Sequence, residues 1–179
     1  MIAVLVDDGF EEIEFGAVVS VLSRGGLEWD LVGVEERAEG MGGMEVDIDS
    51  TVWDVEGGDY EGVIVPGGSA PTTLIGYRHC LNLIQSVESD GGVVVGLSSG
   101  ALVLAEAGVL RGRKATTYPG FEAELKVNGA EPVPKGVVRD GNVVTSRGPA
   151  FAIEACLEVV RELCGDHMAN SVARQLILK

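Results

Sequence analysis

Residues 93–100 read Val-Val-Val-Gly-Leu-Ser-Ser-Gly. A β-branched apolar run ends in Gly96-Leu97-Ser98-Ser99-Gly100, and a helical pattern begins at once. Gly-x-Ser-x-Gly between a strand and a helix is the nucleophile elbow of serine hydrolases, a turn tight enough to push one side chain out of the sheet. The glycines leave room for that backbone. Ser98 is therefore the candidate nucleophile. A serine hydroxyl is a weak acid and needs a general base, and histidine suits best because its pKa lies near neutrality. The chain has two histidines, His79 and His167. His167 follows Ser98, as the hydrolase order requires, but falls in a closing helix. His79 opens a helix elsewhere, and both read as surface residues. Glu14 is the remaining base. An ionised carboxylate is weak for deprotonating serine. Burial would raise its pKa, and a protonated Glu14 would donate a hydrogen bond to the elbow residue. The competing reading is a solvated carboxylate in a helix first turn, where the helix dipole favours it.

The cysteines carry less. Cys80, Cys156 and Cys164 are odd in number and lack zinc-site spacing. Cys156 and Cys164 lie in one helical pattern and read as small buried hydrophobes. His79 and Cys80 are adjacent, but neither has a second ligand at helical spacing. No metal and no cofactor is expected.

Alternating elements must position the elbow. Ile2 to Val6 reads as a strand. Glu11 to Arg24 places Ile13, Ala17, Val18, Val21 and Leu22 on one helical face, and Gly25-Gly26 ends it. Leu27 to Val34 reads as a strand, and Met44 to Val52 as one or two extended segments. Gly62 to Val65 is a buried strand followed by Pro66-Gly67-Gly68. Leu81, Ile84 and Val87 mark a helix that Asp90-Gly91-Gly92 stops. After the elbow a helix runs to about Ala107, then come a short strand at Lys114 to Thr117 and a helical turn or two at Phe121 to Val127. Val137 to Val144 reads as a hairpin turning at Asp140-Gly141. Pro149 to Leu163 is a long helix ended by Gly165, and His167 to Leu178 a final one. Buried strands alternating with helices predict an α/β fold, a mostly parallel sheet with helices on both faces. Ligands of such sheets bind beyond the carboxyl ends of the strands. Asp7 to Glu14, Pro66-Gly67-Gly68 and Ser98 all fall there.

The 179 residues suffice for one domain, 1–179, with a substantial core, and a hydrophobic share of 46% argues against disorder. No apolar run reaches the length of a membrane span. Met1 to Val6 is too short for a signal peptide, so a cytoplasmic protein without membrane partners is expected. The net charge of −15 disfavours nucleic acid, which needs a basic footprint. The acidity reads as a soluble acidic domain rather than salt adaptation.

Five motifs in order resemble the DJ-1/PfpI superfamily, and within it the DJ-1/YajL branch. They are Gly9-Phe10-Glu11-Glu12-Ile13-Glu14, Val65-Pro66-Gly67-Gly68, Leu97-Ser98-Ser99-Gly100, Thr145-Ser146-Arg147-Gly148-Pro149 and the closing helix from His167. The resemblance implies a flavodoxin-like sandwich, usually a homodimer, and a reactive elbow cysteine associated with glyoxalase, disputed deglycase, redox-sensing and chaperone activities. By position it makes Glu14 the partner of the elbow residue. It makes the amides of Gly68 and Ser99 an anion-binding pocket, open to a small carbonyl or anionic ligand. Gly67, Tyr118 and Arg147 would line that pocket, Arg147 with a structural or dimer role as its alternative. Two positions depart from the family. Ser98 replaces the elbow cysteine, by natural divergence or by an engineered Cys→Ser change. Tyr118 stands where the family often has histidine.

Three functions compete. One is a DJ-1-like protein whose cysteine chemistry is absent. The second is a serine hydrolase using Ser98. The third is a stress-linked, non-enzymatic binding or dimeric scaffold protein.

Overall fold

Successive residues of the first strand go to opposite sides of the sheet, because side chains alternate along a strand. In β1 (Ile2–Leu5), Ile2 and Val4 join one apolar layer and Ala3 and Leu5 the other. The computed structural model describes residues 1–178. The strands β2 (Trp29–Gly33), β3 (Arg37–Glu39), β4 (Glu45–Asp47), β5 (Ser50–Thr51), β6 (Gly62–Val65), β7 (Val93–Leu97), β8 (Lys114–Ala115), β9 (Glu131–Pro132), β10 (Val137–Asp140) and β11 (Val143–Ser146) follow. Seven of them form the central sheet in the order β10-β11-β7-β6-β1-β2-β5. Every pairing in it is parallel except that of β10 with β11.

The helices are α1 (Glu12–Arg24), α2 (Ala70–Leu74), α3 (Arg78–Ser89), α4 (Ala101–Glu106), α5 (Glu122–Val127) and α6 (Ala152–Gln175). One layer packs α1 and α6 on the sheet through Phe15, Val18, Val21, Leu22, Val159 and Val160. The other packs α3 and α4 on the opposite face through Leu83, Ile84, Val87, Val103 and Leu104. This is the mostly parallel sheet with helices on both faces that the alternating pattern predicts, and the flavodoxin-like sandwich that the resemblance implies. Parallel strands covered on both faces explain why Val63 to Val65 and Val93 to Val95 read as continuous apolar runs.

Several details differ from the sequence reading. The second strand is shorter than 27–34, running Trp29–Gly33. The hairpin of β3 and β4 and the short α2 carry too few apolar residues to show a period. The segment from Pro149 opens as a 3-10 turn before α6. Gly165 breaks α6, with φ 83° and ψ 167°, so the helical pattern divides there as expected. The reading of Cys164 as a buried hydrophobe is corrected: it is exposed, whereas Cys80 and Cys156 are buried. Among the described residues no helix is long and apolar enough to cross a membrane.

Candidate active site

The elbow is built from glycine clearances. A Cβ on Gly96 would lie 2.7 Å from the Ala101 Cα, and one on Gly100 would overlap the Val65 carbonyl oxygen. With glycine at both places the chain leaves β7, turns through Ser98 and enters α4 without collision. Ser98 itself has φ 54°, in the left-handed region that non-glycine residues seldom adopt. Such backbone costs on the order of 1–3 kcal/mol and persists only where its surroundings hold it. Two hydroxyls do so: Thr117 Oγ1 donates to the Ser98 carbonyl (3.0 Å) and Ser99 Oγ donates to the Gly68 carbonyl (2.8 Å). Thr117 is itself buried and belongs to the segment after β8.

The glycine turn after β6 meets the turn after β1. The Glu11 amide donates to the Gly67 carbonyl (3.1 Å), and the Ser69 amide donates to the Gly9 carbonyl (2.9 Å). Gly68 has φ 94°, and a Cβ there would overlap the Gly9 carbonyl oxygen, so this position requires glycine. The Gly68 amide has no hydrogen-bond partner among the described residues. Gly67 faces inward. A Cβ on it would sit 2.8 Å from Glu14 Oε2 and 2.7 Å from Ser98 Cβ, which brings Glu14 and Ser98 to one point beneath the turn.

Burial decides between the two readings of Glu14. Its side chain is 0% exposed although it lies in the first turn of α1. The Gly67 amide donates to its Oε2 (2.6 Å), and its Oε1 has no partner. Burial pushes its pKa up to about 7, reinforced by the neighbouring Glu11 carboxylate and opposed by the Gly67 amide and the Ser98 hydroxyl. At neutral pH a large share of Glu14 is therefore protonated and able to donate.

Above this point lies a cavity of about 560 Å³, lined among others by Gly68, Ser98, Ser99 and Tyr118. Arg147 and Gly67 are not among the residues that line it. Gly67 is spent on Glu14, and the Glu122 carboxyl is held below the usual carboxylate range by backbone hydrogen bonds at Glu122 and Gly120, with the Arg147 charge a smaller contribution. Sequence reasoning missed Thr117 and several lining residues, among them Ser69, Thr72 and the wall residues Met41, Phe121 and Pro149. Thr117 carried a signal, a β-branched hydroxyl beside the already noted Tyr118. The wall residues come from separate loops and carried none.

No histidine lines the cavity. His79 packs edge-on against Trp53, with ring centroids 4.6 Å apart, and His167 is exposed on α6. The buried thiols offer no substitute nucleophile: desolvation pushes Cys80 up to about 12 and also raises Cys156. Among the described residues no group of three or more His, Cys, Asp or Glu could hold a metal.

The sequence model of the DJ-1/PfpI family matches residues 1–162. The chain is 32% identical to protein dj-1beta of Drosophila melanogaster over 178 residues, 98% of this chain and 95% of the fly protein. The crystal structure of that protein superposes with a TM-score of 0.91, covering 98% of this chain and 96% of the other. A deglycase of Pyrococcus horikoshii is 33% identical over 82% of this chain and 89% of its own length. An isonitrile hydratase of Pseudomonas putida is 37% identical over 64% of this chain, a match that spans half of that protein.

Proposed function

The chain belongs to the DJ-1/PfpI family, and from that premise we propose that it is a ligand-binding member in which the family's cysteine chemistry is absent. The observation that carries this reading is the pairing at the elbow. Ser98 sits over a buried Glu14 whose pKa is pushed up to about 7, with no histidine in the cavity. In its protonated form that carboxyl donates a hydrogen bond and cannot take the serine proton, which leaves only the ionised fraction as a base. Ser98 holds the nucleophile position, Glu14 is its carboxyl partner, and the amides of Gly68 and Ser99 supply the donors for a ligand oxygen. The relatives bear names of different reactions, a deglycase and an isonitrile hydratase, so kinship alone selects neither.

The serine-hydrolase reading rests on Gly96-x-Ser98-x-Gly100 and would have to use the ionised fraction of Glu14 as its base, because no histidine lines the cavity. Both readings meet one experiment. The chain as it stands is expected not to consume methylglyoxal above the spontaneous rate, and not to be labelled by a fluorophosphonate probe. Turnover or labelling that disappears in Ser98→Ala would sink the proposal.

We also propose that the protein is a single-domain homodimer. Ile13 on α1 is 65% exposed, and Met41 and Met44 flank the tip between β3 and β4, at 64% and 46%. That tip is tied to the start of α1, where the Met41 amide donates to the Phe10 carbonyl (3.0 Å) and the Gly42 amide to the Glu12 carboxylate. Large apolar side chains gathered on one face mark an association surface. Placing a charge there by Ile13→Glu is expected to give a monomer in sedimentation velocity, while the parent sediments as a dimer. A parent that sediments as a monomer refutes the dimer.

A further inference from the structure

We propose that α6 carries a second binding site, separate from the elbow, for a small ammonium compound with an apolar body: a primary amine on an aryl or branched alkyl chain. No residue of this site lines the elbow cavity, so the inference stands apart from the reading of Ser98.

The break at Gly165 builds the site. Ile153, Glu154, Leu157, Glu158 and Arg161 recur within three or four residues of one another, so they form one stripe along the first part of α6. Asn170 and Ala173, beyond the break, line the same cavity as that stripe, and its volume is about 510 Å³. The turn after α6 adds a third wall. Ile177 has φ 58°, a left-handed backbone that a β-branched residue rarely takes. It turns the chain back, so that the Leu178 amide donates to the Ala173 carbonyl (3.0 Å) and Leu178 lines the cavity. The volume falls inside the roughly 300–1,000 Å³ of small-molecule sites.

The lining sets the ligand. Ile153 and Leu157 give apolar surface from one part of α6, and Ala173 and Leu178 give it from the other side. Leu178 is 47% exposed, so a ligand that covers it takes apolar surface out of water, which favours binding. Charge then selects the head group. Two carboxylates, Glu154 and Glu158, stand on the lining against one cation, Arg161. Arg161 is already held between Glu158 and Asp166, the latter at 2.9 Å. Glu158 also meets Arg139 (3.3 Å). Glu154 makes no ion pair among the described residues. An alkylammonium is charged at neutral pH, as that of lysine is, and can pair with Glu154. A carboxylate of the same shape would meet Glu154 as a like charge and find the guanidinium taken.

Backbone amide NMR shifts of the full chain, followed as phenethylamine, ethylamine or phenylpropionate is added, give both the affinity and the place of binding. Phenethylamine is expected to shift residues 150–161 and 170–178. It should bind about tenfold more tightly than ethylamine, because only its ring covers the apolar lining. It should exceed phenylpropionate, of nearly the same shape and opposite charge, by about fivefold, the scale of an exposed ion pair. Glu154→Gln and Leu178→Ala, both at exposed positions, should each weaken phenethylamine about threefold. Ethylamine binding as tightly as phenethylamine overturns the apolar body. Phenylpropionate binding as tightly overturns the ammonium head. Shifts confined to the elbow cavity around residues 68–72, 98–99 and 118–121, full affinity in both variants, or no binding by any of the three overturns the site.

Discussion

A Ser98→Cys variant is expected to gain what the parent lacks: consumption of methylglyoxal and rapid alkylation by iodoacetamide at the elbow. The exchange replaces one oxygen by sulfur at a position whose backbone is already set by Gly96, Gly100 and the Thr117 hydroxyl. What changes is acidity. A free thiol has a pKa of about 8.5, so a few per cent is thiolate at pH 7 before any local help. A serine hydroxyl under the same conditions is ionised to a negligible degree. The Glu14 carboxyl, pushed up to about 7, is matched to the new residue, since its proton can be donated to a thiolate but is of no use in activating an alcohol. Alkylation at the new thiol should exceed that at Cys80 and Cys156 by at least about tenfold. Both are buried with raised pKa values, and each pKa step is a factor of ten in thiolate. Cys164 is exposed and would also react, so the comparison belongs in a Cys164→Ser background. A folded Ser98→Cys protein inert to both reagents would mean that the seat is not arranged for a nucleophile at all.

That expectation depends on which parts of the molecule sequence could reveal. The strands at Gly62–Val65 and Val93–Leu97 were legible because both faces of a parallel sheet are buried, which writes an unbroken β-branched run. The elbow was legible because its glycines are spaced by steric necessity. The end of β1 and the glycine turn were placed beside it by the general rule for open α/β sheets. Other parts leave no local trace. The five residues of α2 are too few for a helical period. Cys164 lies in the last turn before the break at Gly165 and is exposed, although its helical spacing from the buried Cys156 implied a buried place. Met41 reaches the cavity from the tip between β3 and β4, about thirty residues from any motif. Arg147 was assigned to the pocket by position within a motif, and position does not fix where a long side chain places its charge. Glu14 lay between these cases. The motif offered a site residue and the first turn of a helix offered a solvated one, and only burial separates them.

The same burial makes Glu14 a measurable liability. Its pKa rises from 4.5 to about 7 on folding, so between those values the folded chain holds a proton that the unfolded chain has lost. Stability then falls as pH rises. The penalty is absent below about 4.5, grows through the window up to about 7 and stays constant above it. Its full size is about 3 kcal/mol, a large fraction of the stability of a domain of this kind. Glu14→Gln removes the charge and keeps the shape, and its side-chain carbonyl can still accept from the Gly67 amide. Urea unfolding should therefore find the variant more stable by up to about 3 kcal/mol near pH 8, with the two proteins alike near pH 4. Asp7, whose pKa is also raised, titrates in both proteins, so its contribution cancels in the difference. The repulsion between the Glu11 carboxylate and an ionised Glu14 has the same sign and is already part of that shift. A stability difference that does not change with pH would mean that Glu14 is not held protonated, and would remove the reason for calling Ser98 inert. A difference of the expected shape shows a chain that tolerates a destabilising carboxyl exactly where the elbow residue needs a donor. Stability and site chemistry then pull in opposite directions at one residue, as they do where a buried charge serves a function. In the Ser98→Cys background, Glu14→Gln should accordingly gain stability at high pH and lose the elbow reactivity that the protonated carboxyl supports.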